Sequence, residues 1–281
     1  MLKPKAPFIL AVATAFFIYQ LYLLVNSFFA DYQIYQSVIF YLQSRSSLWP
    51  LVWLASELTG EVGLIIRFAG ACFFLAFAII LLTKKTLSWS ILRKGVLLEG
   101  IYYLFNLPFI IYLLIRPNGN IATFGAATSY AIQLMLVTPS FLILYLKLRN
   151  KNFERLEVAK WGALAITGFV FALWVKHFLL ALYALPISFV NATLVVGFLN
   201  STLTMLIAGL IMLVAFMPVL KKKTTDFNSK AVGAALVLVG VYFIVYVFIA
   251  LVNVDYMRWI NLIDLWAIAM PVLGANLLIK D

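Results

Sequence analysis

The residues able to do chemistry in this 281-residue chain are few, and most stand inside apolar runs. Lys176 and the single histidine, His177, sit in "GFVFALWVKHFLLALYALP" (168–186). Arg67 sits in "GLIIRFAGACFF" (63–74) and Asp264 in "NLIDLWAIAM" (261–270). A charge held among leucines and phenylalanines is costly, so such residues normally face one another or a watery space. Arg67 offers a planar fork suited to a carboxylate or phosphate, and Lys176 a movable point charge. His177 has a proton that exchanges near neutral pH.

The absent chemistry is equally informative. One histidine and one cysteine, Cys72, leave no HExxH zinc site, His-ligated haem, CxxC pair or internal disulfide. No GxSxG elbow and no phosphate-binding P-loop occurs. No metal and no cofactor is expected.

Depth links the polar residues. Measured from the basic boundary of each span, Lys176, Arg67, Asp264, Gln133, Gln20 and Tyr246 all lie roughly 14–17 residues away, about 21–26 Å along a helix. Two bases and one acid in one layer imply a polar chamber opening outward, with Asp264 pairing either Arg67 or Lys176. The base left over makes the chamber positive, which favours a small anionic or phosphate-bearing solute or a lipid headgroup. Gln133, Gln20 and Tyr246 would supply neutral hydrogen bonds. Lys176 and His177 point about 100° apart on a helix and need not share a face. Each base also has a plain alternative, since its long stem can snorkel to the surface or form a static interhelical bridge. For His177 the plain alternative is a satisfied packing residue.

Glu99, in "KGVLLEGIYYLFNLP" (94–108), stands apart at five residues from Lys94. It reads as an interfacial carboxylate beside Lys94 or Arg93, or as an inner gate or proton acceptor. Asn106 and Pro108 follow about two turns deeper, where proline frees a carbonyl and can kink the helix.

The elements that must position these residues are membrane spans. Hydrophobic residues make up 65% of the chain and charged ones 11%, against roughly 25% charged in soluble domains. Apolar stretches near twenty residues recur, at about 7–29, 60–83, 95–115, 123–146, 161–185, 198–220, 231–252 and 260–279. The reading is an all-α, polytopic integral membrane protein of about eight transmembrane helices, a single transmembrane domain over 1–281. Basic residues cluster on alternate connections, at Lys84–Lys94, Lys147–Lys160 and Lys221–Lys230, while the other connections hold only Arg45, Arg116 and Arg258. That asymmetry places both termini in the cytoplasm of a cell-membrane protein. It also accounts for the net charge of +11 without nucleic acid, which is not expected as a partner. The partner expected is the lipid bilayer; protein partners are left open.

Two four-span halves in parallel, 1–150 and 151–281, are expected from an internal echo. Pro50 to Lys84 and Pro186 to Lys221 are stretches of matched length, each followed by "KKT" or its equivalent. Each carries a glycine-containing polar patch, "LTGEVG" (58–63) and "GFLNST" (197–202), expected to interrupt the helix. The long connection 30–57 is expected to lie along the membrane surface as a short amphipathic helix. Together these features favour a transporter or permease. The alternatives are a non-catalytic subunit or scaffold of a membrane complex, and a lipid-acting enzyme using His177 as base with Lys176 steadying an oxyanion.

Overall fold

No glycine or proline follows Pro7 until Pro50, so nothing in that stretch breaks a helix. The computed structural model describes residues 6–44, 49–115, 121–150, 154–188, 192–221, 224–252 and 271–279 except 273 and 276. In it α1 runs unbroken over Ala6–Ser44 and α2 over Trp49–Lys84, with Pro50 in the first turn, where its missing N–H is harmless. The expected surface helix over 30–57 is therefore not separate: most of that stretch extends α1 and α2. At about 1.5 Å per residue both helices exceed the roughly 30 Å hydrocarbon thickness.

α2 stops at Lys84, and Lys85 adopts φ 52°, the left-handed conformation that commonly ends a helix. α3 (Trp89–Tyr102) then passes through a 3-10 turn, Tyr103–Phe105, into α4 (Asn106–Ile115). α5 (Ile121–Ile132) passes through a π-helical turn, Gln133–Val137, into α6 (Thr138–Arg149). A proline explains each irregularity. Pro108 cannot donate to the carbonyl of Leu104, nor Pro139 to that of Met135, and both carbonyls lie in the irregular turn; that of Leu104 accepts from the N–H of Asn106 instead. α7 (Arg155–Ser188), α8 (Ala192–Leu220) and α9 (Ser229–Val252) complete the succession. Asn228 caps α9, its side-chain oxygen accepting from the N–H of Ala231 at 3.1 Å.

The expected interruptions at 58–63 and 197–202 do not occur: both stretches are helical within α2 and α8. Gly63 serves close packing instead. A Cβ there would stand 3.1 Å from Cβ of Phe105, so its absence lets α2 approach the 3-10 turn.

Neighbours in sequence pack as neighbours in space: α1 on α2, α2 on α3, α7 on α8 and α8 on α9, with α3 on α6 and α5 on α7 joining the two groups. Among the described residues every element is helical, and six helical segments are long and apolar enough to cross a membrane. A seventh apolar stretch, Ser229–Tyr242, is shorter. Most of the eighth expected span lies outside the described residues. Its described end, within 271–279, packs on α9, where a Cβ on Gly233 would come 2.8 Å from the carbonyl oxygen of Gly274.

The basic turns gather at one end. Val96, Leu144 and Leu148 form a buried cluster with Trp89, Val158 and Trp161, tying the α2–α3 and α6–α7 turns together. A second cluster of Ala163, Val219 and Val232 with Leu156 and Leu220 adds the α8–α9 turn. Lys147 reaches Glu157 across the α6–α7 turn at 3.7 Å. Large hydrophobics such as Ile65, Leu114, Met135 and Val214 are exposed on the flanks, as a lipid-facing surface requires.

Candidate functional site

Arg67 and Glu99 meet. Both Nε and Nη2 of Arg67 lie 3.0 Å from Oε1 of Glu99, with Nε donating a hydrogen bond, and the hydroxyl of Tyr103 donates to the same oxygen at 3.4 Å. The guanidinium carbon is 4.5 Å from the centre of the Tyr102 ring and 5.6 and 5.8 Å from those of Phe16 and Tyr103. Glu99 is only 4% exposed, so both charges are compensated in a space nearly closed to solvent. The cation is thus held by a carboxylate and by aromatic faces, the two partners that offset its desolvation best.

This corrects the expectation for Glu99, which is neither beside Lys94 nor remote from Arg67. A depth measured from Lys94 falls short, because α3 begins at Trp89, a turn and a half earlier. Counted from the helix start, Glu99 lies about 15 Å in, within reach of an arginine stem from the neighbouring helix. Arg67 therefore has its acid in Glu99. Asp264 lies outside the described residues, so its expected pairing does not enter.

The two irregular turns touch each other beside this ion pair. Tyr103, from the 3-10 turn, is buried with Val137, from the π turn, and Ala165 of α7, and its ring stacks on Phe141 at 6.4 Å. Gln133 opens the π turn and is buried, with its amide nitrogen 3.5 Å from Oγ of Ser129; Ser129 in turn donates to the carbonyl of Ala172 on α7 at 2.8 Å.

On the far side of the ion pair from the basic turns lies a cavity of about 200 Å3. α1 contributes Ser27; α2 contributes Ser56 and Glu61; the 3-10 turn and its flanks contribute Tyr102 and Asn106; α5 contributes Tyr130. Tyr102 touches both Arg67 and this space. The buried amide nitrogen of Asn106 has no hydrogen-bond partner among the described residues, which leaves a donor available at the wall. Sequence reasoning missed these walls. The signal was present in "YYLFNLP" (102–108), where paired tyrosines and an asparagine precede a proline inside an apolar run.

The other expected site residues do not converge here. Lys176 is half-buried on α7 where α5 passes close: a Cβ on Gly125 would sit 3.7 Å from its carbonyl oxygen. No carboxylate lies within ion-pair distance of Lys176 among the described residues. His177 packs edge-on against Tyr242 of α9, with ring centres 5.3 Å apart and Nε2 3.5 Å from the phenol oxygen. Gln20 is 1% exposed, and neither polar atom of its amide has a partner among the described residues. The side chain of Tyr246 lies outside the described residues. A second cavity, about 440 Å3, runs between the π turn, α6, α7 and α8, and its walls are almost wholly apolar, including Leu136, Phe171, Met205 and Leu210. No group of three or more metal-ligating side chains occurs among the described residues.

The fold and site define, among the described residues, an all-helical protein with several helices long and apolar enough to cross a membrane and a buried polar centre. Comparison with protein-family models, with curated proteins and with solved structures gives no significant match.

Proposed function

We propose that this chain is a multi-pass transporter or permease of the cell membrane, carrying a small polar solute through the cavity between α1, α2, α4 and α5. The observation that carries this reading is the polar cavity beside the 3-10 turn, which in turn touches the π turn of the neighbouring helix. Broken helices that meet near a buried charge are how transporters build a solute site inside hydrocarbon. π turns also recur at functional positions, since they cost stability that packing alone does not require.

In this reading eight spans place both termini and the basic turns in the cytoplasm, so the cavity faces outside. The parallel halves 1–150 and 151–281 are part of the same proposal. Two hairpins of unusually long helices, α1–α2 and α7–α8, stand at corresponding places in the two halves. The solute's expected negative charge is not carried forward. It rested on one base, Arg67 or Lys176, left over after pairing with Asp264; Glu99 compensates Arg67, and Lys176 is not among the described residues lining this cavity.

The test is uptake by proteoliposomes of a labelled panel: phosphate as anion, choline as cation and glycerol as neutral polyol. One of them should accumulate, and Asn106→Leu, which removes the wall donor, should abolish accumulation while the protein remains monodisperse. The scaffold reading, favoured by the static look of the Arg67–Glu99 pair, predicts no uptake of any probe and a stoichiometric protein partner on mild extraction.

A further inference from the structure

We infer that the apolar groove between α6, α7 and α8 holds one acyl chain of an anionic phospholipid whose headgroup sits on Lys160 and Lys221. The groove encloses about 440 Å3 and is lined by α7 from Trp161 to Trp174 and by α8 from Met205 to Leu220. A Cβ on Gly209 would stand 3.5 Å from Val170, and in an antiparallel pair that register sets Leu220 near the level of Trp161 and Met205 level with Trp174. The 13 residues from Trp161 to Trp174 span roughly 20 Å. A sphere of the same volume is only about 9 Å across, so the space has the shape of a chain. Met135 and Leu136 of the π turn, Phe171 and Leu210 line it and are exposed, so it opens sideways onto the surface that meets hydrocarbon. A chain lying there restores the dispersion contacts that an empty groove would forfeit.

Charge and depth fix the kind of lipid. Lys160 precedes Trp161 and Lys221 follows Leu220, so both bases stand at the same end of the groove. Lys221 is exposed, and Nζ of Lys160 lies 5.8 Å from the centre of the Trp161 ring. Glu157, a turn earlier on α7, is engaged by Lys147 at 3.7 Å. Basic groups between helices at the membrane surface attract anionic headgroups, and tryptophan favours the same level. From this end the groove covers roughly 15 Å, half of the hydrocarbon core, and a little more. It ends where the rings of Phe171 and Trp174 meet at 5.3 Å. A lipid of the leaflet at the basic turns thus has its phosphate beside two ammonium groups and its chain in the groove. The groove lies apart from the polar cavity, so this site does not depend on the transport reading.

The experiment is native mass spectrometry of the detergent-purified full chain, titrated with dioleoyl phosphatidylglycerol, dioleoyl phosphatidylcholine and oleate. Phosphatidylglycerol should bind one to one and at least tenfold more tightly than phosphatidylcholine, with oleate weaker still. Gly209→Leu should weaken phosphatidylglycerol binding at least tenfold. Its Cβ meets only Val170, at ordinary contact distance, so the longer side chain grows into the groove without displacing backbone. Leu213→Trp, one turn further on, should do the same. Replacing Lys160 and Lys221 together by glutamine should cost about fivefold per lysine and bring phosphatidylglycerol close to phosphatidylcholine. Wild-type affinity for phosphatidylglycerol in both Gly209→Leu and Leu213→Trp overturns the inference. So does equal binding of the two phospholipids, oleate binding as tight as phosphatidylglycerol, or an unchanged affinity in the double lysine variant.

Discussion

Replacing one member of the Arg67–Glu99 pair should cost far more than replacing both. At 3.0 Å and an effective dielectric near 20, the Coulomb attraction is about 5 kcal/mol, and the Tyr102 ring at 4.5 Å adds about 1–2 kcal/mol. Desolvating the two ions cancels much of that gain, at several kcal/mol per ion. Glu99→Met strands a guanidinium that cannot lose its proton, and about 3–5 kcal/mol of stability should go with it. Arg67→Met strands the Glu99 carboxyl without its cation and should likewise cost about 3–5 kcal/mol. The double variant, with two methionines filling similar volume, should lie within about 1–2 kcal/mol of the native protein. The measurement is reversible unfolding in mixed micelles by a titrated denaturing detergent, followed by tryptophan fluorescence and far-ultraviolet circular dichroism. A coupling of at least about 2 kcal/mol is expected. Costs that simply add to within about 0.5 kcal/mol would refute the reasoning, because they would mean that the two charges do not compensate each other.

Further outcomes follow from the packing around this pair. Ser129→Ala removes the hydrogen bond to the Ala172 carbonyl and should cost about 0.6–1.7 kcal/mol in the same unfolding assay. Gly125→Ala should cost about 1–3 kcal/mol, since the new methyl would stand 2.8 Å from Cβ of Leu179, and pulling α5 off α7 is the only relief. Pro139→Ala supplies an N–H that can bond the Met135 carbonyl in the regular α pattern; the π turn should regularise, and amide exchange at residues 133–137 should slow.

Much of the fold was legible from the sequence because a bilayer admits so few solutions. Hydrophobic run length alone located the core of the described helices, and the lysines and arginines located the turns between them, which the buried clusters do bring to one end. Helix ends were less legible. The polar residues of 30–44 read as a surface segment, yet without a breaker α1 simply continues through them. The glycines of "LTGEVG" read as a break, and the structure uses Gly63 for close approach to Phe105. Glycine signals either possibility, and only the neighbouring helix decides which.

The site was half legible. Arg67 stood out by its cost, and it is indeed buried against a compensating acid. Glu99 is hard to recognise as its partner because Arg93 and Lys94 lie within α3, and a depth scale anchored on them sets Glu99 too near the surface. Lys176 and His177 share a depth with Arg67 in the sequence, but depth fixes only one coordinate. The rotation of α7 turns His177 toward Tyr242 and α9, and neither residue reaches the polar cavity. The cavity's own residues are mostly tyrosine, phenylalanine, serine and asparagine, which carry no charge and so leave little trace in an apolar sequence.

The central claim is that solvent reaches the Asn106 wall from the end of the bundle opposite the basic turns. Cys72 is exposed, so Asn106→Cys would be made together with Cys72→Ala and treated with a membrane-impermeant thiol reagent on one side of sealed vesicles at a time. Rapid modification from the side opposite the basic turns, lost when Gly60→Leu fills the cavity, is the predicted result. A thiol that reacts from neither side until the protein is denatured would contradict it.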